Sequence, residues 1–172
     1  MSSSEAKSRR AVLRLGLLGA ATPMLAGCFR PMLAEGGAAE GIRGRVALPA
    51  VGGRLGYVMN ETFESRLGRP GQTQYRLEVS TTIDDRGLLV AQDNTVTREQ
   101  LRATAVMRLY RNGEVEPVLQ DLLVSEAGFD ETASLYASRT TRRDIEERLA
   151  RDLAERISRR VLARASQLEG TG

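Results

Sequence analysis

Apolar and polar positions along this chain repeat with two different periods, and each change of period marks an element. Tyr75, Leu77, Val79, Thr81 and Ile83 alternate with Arg76, Glu78, Ser80, Thr82 and Asp84. Successive side chains of a strand point to opposite faces, so this stretch predicts a strand with one buried and one polar face. Asp84-Asp85-Arg86-Gly87 predicts a bend, after which Leu88 to Ala91 resume the strand before a loop at Asp93-Asn94. Leu101, Ala103, Ala105, Met107 and Leu109 form a second alternating set against Arg102, Thr104, Val106, Arg108 and Tyr110. Asn112-Gly113 comes next. That pair tolerates the positive φ angles of a type I′ turn and so predicts a hairpin. The returning strand is expected from Val115 to Ala127, with Pro117 near its start. Its Leu122-Leu123-Val124 run breaks the alternation, as a strand partly covered on both faces would.

Helical spacing occurs twice. Leu55, Val58, Met59, Phe63 and Leu67 recur with Asn60, Glu61 and Glu64 between them, predicting an amphipathic helix ended by Gly68-Arg69-Pro70-Gly71. A longer helix is expected from Thr140 to Gln167. Its apolar stripe is Ile145, Leu149, Leu153, Ile157 and Val161, widened by Ala150, Ala154 and Ala165. Thr141 with Asp144 predicts its cap, and Glu147–Arg151 and Asp152–Arg156 stand at ion-pair spacing. Ahead of both helices, Ile42 and Arg45-Val46-Ala47-Leu48 predict a short strand stopped at Pro49.

The order is therefore β-α-β-β-β-α. It predicts an α+β fold: a mixed, mostly antiparallel four-stranded sheet with two helices packed on one face. A helix with one apolar stripe has one face to bury, which places both on the same side. The other side, with Arg76, Glu78, Arg102, Thr104 and Arg108, stays polar, either solvated or facing a partner.

The first residues follow a different logic. Lys7, Arg9, Arg10 and Arg14 precede an apolar run from Leu15 to Ala26, and Leu25-Ala26-Gly27-Cys28 closes it. The run is shorter than the roughly 20 residues a spanning helix needs. Small residues before a cysteine resemble a bacterial lipobox, with Cys28 as the acylated residue after cleavage. Ser8-Arg9-Arg10-Ala11-Val12-Leu13-Arg14 also resembles a twin-arginine export signal, with Val12 where an aromatic is commonest. An ordinary basic leader accounts for the same residues. The expected organisation is a leader over 1–27, a lipidated tether over 28–41, one domain over 42–168 and a tail over 169–172.

The leader changes the meaning of the charge. The whole chain is +3, with 25 basic and 22 acidic residues and a pI near 9.5. Residues 1–27 take away four basic residues and one acidic residue, leaving 21 of each. The basic balance thus belongs to the leader and gives no reason to expect nucleic acid as a partner. Lys7 is the only lysine, so every later cation is an arginine. Biased composition explains this, or else paired guanidinium nitrogens meet phosphate or carboxylate oxygens.

Chemistry by catalysis finds little support. There is no histidine, and the one cysteine is committed to the lipobox. That leaves no expected metal ligands, no disulfide within the chain and no cofactor motif. Only carboxylate pairs remain, Asp84 with Asp85 or Glu126 with Asp130, and a glycosidase would also want an aromatic-lined cleft. Aromatic residues make up 4% of the chain and tryptophan is absent. The expectation is a protein that is not an enzyme.

Three blocks carry a resemblance. Cys28-Phe29-Arg30-Pro31 follows the lipobox, Gln92-Asp93-Asn94-Thr95-Val96-Thr97-Arg98 lies between the strands, and Ser134-Leu135-Tyr136-Ala137-Ser138 precedes the charged last helix. Together they resemble the LPS-assembly lipoprotein family LptE in its alphaproteobacterial form. The resemblance implies an outer-membrane lipoprotein, anchored on the periplasmic side through its lipid. It implies a partner, the β-barrel LptD, which the protein plugs, and contact with lipopolysaccharide. In the family, basic residues near the loop between strands two and three and near the start of the last helix make that contact. At the matching places this chain has Gln92 and Ser138, with Arg98 and Arg139 close by. The expected lipopolysaccharide-binding residues are therefore Arg98, Arg102 and Arg139, pairing with lipid A phosphates. The alternative function is an auxiliary lipoprotein of a lipid-transport ABC system, distinguished by its partner.

Overall fold

A computed structural model describes residues 38–90, 96–130 and 134–169. The leader, Cys28, the block after it and Gln92-Asp93-Asn94-Thr95 lie outside the described residues. The described elements are α1 (Ala38–Ile42), β1 (Val46–Ala47), α2 (Gly53–Leu67), β2 (Tyr75–Val90), β3 (Val96–Arg111), β4 (Pro117–Asp130) and α3 (Leu135–Glu169).

Four strands form one sheet among the described residues, in the order β1-β2-β3-β4. β1 runs parallel to β2, with Val46 opposite Tyr75. Parallel neighbours need a crossover, and α2 supplies it. The β2–β3 and β3–β4 pairs are antiparallel. The fold is thus α+β with a mostly antiparallel sheet, as the pattern predicts. Strict alternation places the core: Leu101, Ala103, Ala105, Met107 and Leu109 of β3 are all fully buried. Met59, Phe63 and Leu67 of α2 and Leu153, Ile157 and Val161 of α3 bury their stripes in the same cluster. Each such large side chain contributes about 1.5–3 kcal/mol by leaving water. Alanines at 103 and 105 on the sheet and at 150 and 154 on α3 are all buried, and their small size allows close packing.

The elements depart from the sequence pattern in five places. Ile42 belongs to α1, and the first strand is only Val46–Ala47. Gly44 separates them at φ 72°, where its N–H donates to the Leu67 carbonyl at 2.8 Å, and Pro49 follows too soon for a longer strand. β2 does not bend at Asp84–Gly87. It stays paired with β3 to Val90 and absorbs the glycine as register shifts around Leu89.

The link from β3 to β4 is longer than a two-residue turn. Glu114 N–H donates to Arg111 O at 3.0 Å, but pairing resumes only with Tyr110 opposite Pro117. Proline has no N–H for the ladder, so it serves as the strand's first residue. α3 begins at Leu135 rather than Thr140, because Ser134 Oγ accepts the Ala137 N–H at 3.4 Å and caps it. Thr141 lies inside the helix. Finally, the apolar run of β4 keeps strict alternation: Leu123 is buried, while Leu122 and Val124 are 60% and 37% exposed on the outer face.

Candidate functional site

The residues expected to meet lipopolysaccharide lie on β3 and on the first turns of α3, on two different faces of the sheet where their side chains are described. Arg98 is on β3, its backbone opposite Leu89 of β2 and Asp130 of β4. Its side chain lies outside the described residues. Arg102 stands on the outer face, opposite Asp84 on one side and Glu126 on the other. Its Nε donates to Glu126 Oε1, and Gln100 Nε2 donates to Glu126 Oε2 at 3.0 Å. A phosphate approaching Arg102 competes with that carboxylate. Arg139 is in the second turn of α3, exposed, with no ion pair among the described residues. α3 packs on the inner face, so the sheet stands between Arg102 and the helix that carries Arg139.

The pattern misses the most connected cation of this region, Arg142. Its Nη2 donates to Asp85 Oδ1 at 2.7 Å and Oδ2 at 2.6 Å, and its Nε donates to Glu146 Oε1 at 3.1 Å. Glu99 lies 3.9 Å from Nη1. Glu146 also accepts from Arg54 Nη2 at 3.1 Å, and Arg54 pairs with Glu147 as well. This takes Glu147 away from the expected partner Arg151. The network ties α2, α3, β2 and β3 together. Hydrogen bonding to Asp85 raises the Arg142 pKa against the opposing effect of burial. The i,i+4 spacing of Arg142 and Glu146 is the one available sign, and it does not reveal Asp85.

A second polar cluster joins α3 to β4. Ser125 Oγ donates to Asp152 Oδ2 at 2.6 Å, and Arg156 Nε lies 2.9 Å from the same oxygen, the pair that its spacing predicts. Burial pushes the Asp152 pKa up, but hydrogen bonds from Ser125 and Arg156 outweigh it and hold the carboxyl below its ordinary value.

The carboxylate pairs are poorly set for hydrolysis. Asp84 and Asp85 are neighbours on a strand and so project to opposite faces. Asp85 meets Arg142 of the inner-face helix, while Asp84 stands opposite Arg102. Glu126 and Asp130 share a face but lie four strand residues apart, about 13 Å. Paired glycosidase carboxyls stand roughly 5–9.5 Å apart. Among the described residues, no group of three or more Asp, Glu, His or Cys is placed to hold a metal. No helix among them is long and apolar enough to cross a membrane.

Comparison with known proteins agrees with this architecture. The model of the LptE family, described as Lipopolysaccharide-assembly, matches residues 43–161, from before β1 well into α3. No curated protein matches the chain. Among solved structures it is similar to a putative lipoprotein from Caulobacter crescentus, at 24% identity and TM-score 0.57, covering 78% of this chain and 97% of that one. Rare lipoprotein B from Shewanella oneidensis is similar at 10% identity and TM-score 0.58, over 72% of this chain and 96% of its own. A minor lipoprotein from Acinetobacter baumannii matches at 17% identity and TM-score 0.54, over 69% and 88%. At these identities the structural likeness shows a shared fold. The match of the family model spans more than two-thirds of the sequence and all four strands, and the chain belongs to the LptE family of lipopolysaccharide-assembly proteins.

Proposed function

We propose that this protein is an outer-membrane lipoprotein, anchored through Cys28 on the periplasmic side, that plugs an LptD-like β-barrel during lipopolysaccharide transport. The family match over residues 43–161 is the observation that carries this reading. The separated carboxylate pairs support a role in binding rather than catalysis. Arg98, Arg102 and Arg139 are the residues proposed to meet lipid A phosphates. Guanidinium groups suit them because two parallel N–H donors match two phosphate oxygens.

The test is a gentle detergent pull-down of the tagged native protein, with identification of the species retained. The expected result is a large outer-membrane β-barrel in stoichiometric amount. Retention of an inner-membrane permease complex without a barrel would overturn the plug role in favour of the ABC-system alternative. For the ligand, replacing Arg98 and Arg139 together with glutamate should weaken lipopolysaccharide binding. Unchanged binding would remove those residues from the site.

A further inference from the structure

β4 ends the sheet order, so one of its edges has no neighbouring strand among the described residues. Side chains of the same molecule occupy part of that edge. Asp121 Oδ1 accepts the Leu122 N–H at 2.9 Å, and Arg156 Nη1 donates to the Val124 carbonyl at 3.2 Å. Alternate strand residues turn both backbone groups to the same side, so the Leu122 carbonyl and the Val124 N–H face outward too. Beside this edge a groove of about 500 Å³ runs between β4 and α3. Leu122, Leu123 and Val124 form one wall and Arg156, Arg159 and Arg160 the other. Asp152, Glu155 and Asp121 pair with these arginines from outside the groove lining, at 2.9, 3.9 and 3.0 Å.

From these features we infer that the edge of β4 takes up an extended, acidic segment of another protein chain, which joins the sheet as a further strand. Asp121 and Arg156 hold the places of a neighbouring strand's carbonyl and N–H, and an added strand takes over both bonds. The exposed side chains of Leu122 and Val124 offer apolar contact to every second residue of the newcomer. Acidic residues facing α3 compete with Asp152, Glu155 and Asp121 for the three arginines, most readily at Arg159, whose own pair is the longest at 3.9 Å. A second copy of this chain fits less well, since pairing β4 with itself sets the two arginine rows near each other. The inference does not rest on the lipopolysaccharide reading.

The probe is a labelled short peptide of alternating valine and glutamate, titrated against the full chain, beside its valine and lysine counterpart. The glutamate peptide should bind at least about tenfold tighter, with Arg159→Glu removing most of the difference. Binding should also protect the Leu122 and Val124 amides from hydrogen exchange. Val124→Pro deletes an outward N–H and should abolish binding. If that variant does not fold, the exposed Arg159→Glu change still separates the outcomes, because it leaves the strand intact. Equal binding of both peptides, or binding by folded Val124→Pro as by the parent, would overturn the inference. So would a concentration-dependent dimer formed through β4, or anionic phosphatidylglycerol vesicles that occupy the groove in place of the peptide.

Discussion

At the scale of single residues, the most constrained position is a glycine inside a helix. The Val51 carbonyl folds back onto Gly56 of α2, and a β-carbon there would run into that oxygen. Gly56→Ala should therefore lower stability by about 3 kcal/mol in urea unfolding, although alanine is the better helix former. Gly52, the N-cap of α2, is the opposite case. It has no side-chain cap bond and open space around it. Gly52→Asp should add about 0.5 kcal/mol by capping N–H groups and meeting the helix dipole. The sequence shows only three glycines close together, Gly52, Gly53 and Gly56, because a backbone fold-back has no signature in residue type. Asp152 allows a test by pH. Its folded pKa is lowered, so its contribution to stability is present above the unfolded value and is lost as pH falls through the folded one. Wild type should exceed Asp152→Asn in stability near pH 6, and the gap should close progressively below about pH 4. A gap that persists to low pH would show that packing rather than charge is at stake.

At the scale of elements, periodicity locates both long helices and the three long strands because each has one face in a common core. β3 is the plainest case, since its odd-numbered residues from Leu101 to Leu109 are buried without exception. Element ends are harder to read. Asp84–Gly87 has the composition of a turn, yet cross-strand pairing with Gln100, Leu101 and Arg102 keeps it extended. Likewise Ser134 takes the cap of α3 from Thr141, its Oγ accepting the Ala137 N–H. The candidate site is legible only as a region. The resemblance groups Arg98, Arg102 and Arg139, but the sequence does not set Arg102 against Glu126 or Arg142 against Asp85, which are contacts across long sequence separations. Arg142→Ala should loosen the start of α3 and leave its far end intact. The expected loss is about 1 kcal/mol, seen as faster amide exchange around residues 142–146.

At the scale of the whole molecule, lengths agree. β2 and β3 of 16 residues each extend about 50 Å, and α3 of 35 residues is about 52 Å long. One helix thus matches the hairpin in length, while α2, at 15 residues, is about 22 Å long and reaches less than half of it. The charge of the molecule divides as well. A fragment beginning at Cys28 carries 21 basic and 21 acidic residues and should focus near neutral pH, far below the 9.5 of the full sequence. Isoelectric focusing of that fragment checks the count, and weak retention on a polyanion column at physiological salt should accompany it.

The unequal reach of the two helices has a consequence for behaviour in different ionic surroundings. Near β1, both long helices help to close the core over the sheet. Towards the opposite end α2 gives out, and Arg54, Asp85, Arg142 and Glu146 link what remains across the gap. Partly exposed charges weaken as ions accumulate, whereas apolar contact does not. Rising ionic strength should therefore release one end of the molecule while the other stays closed.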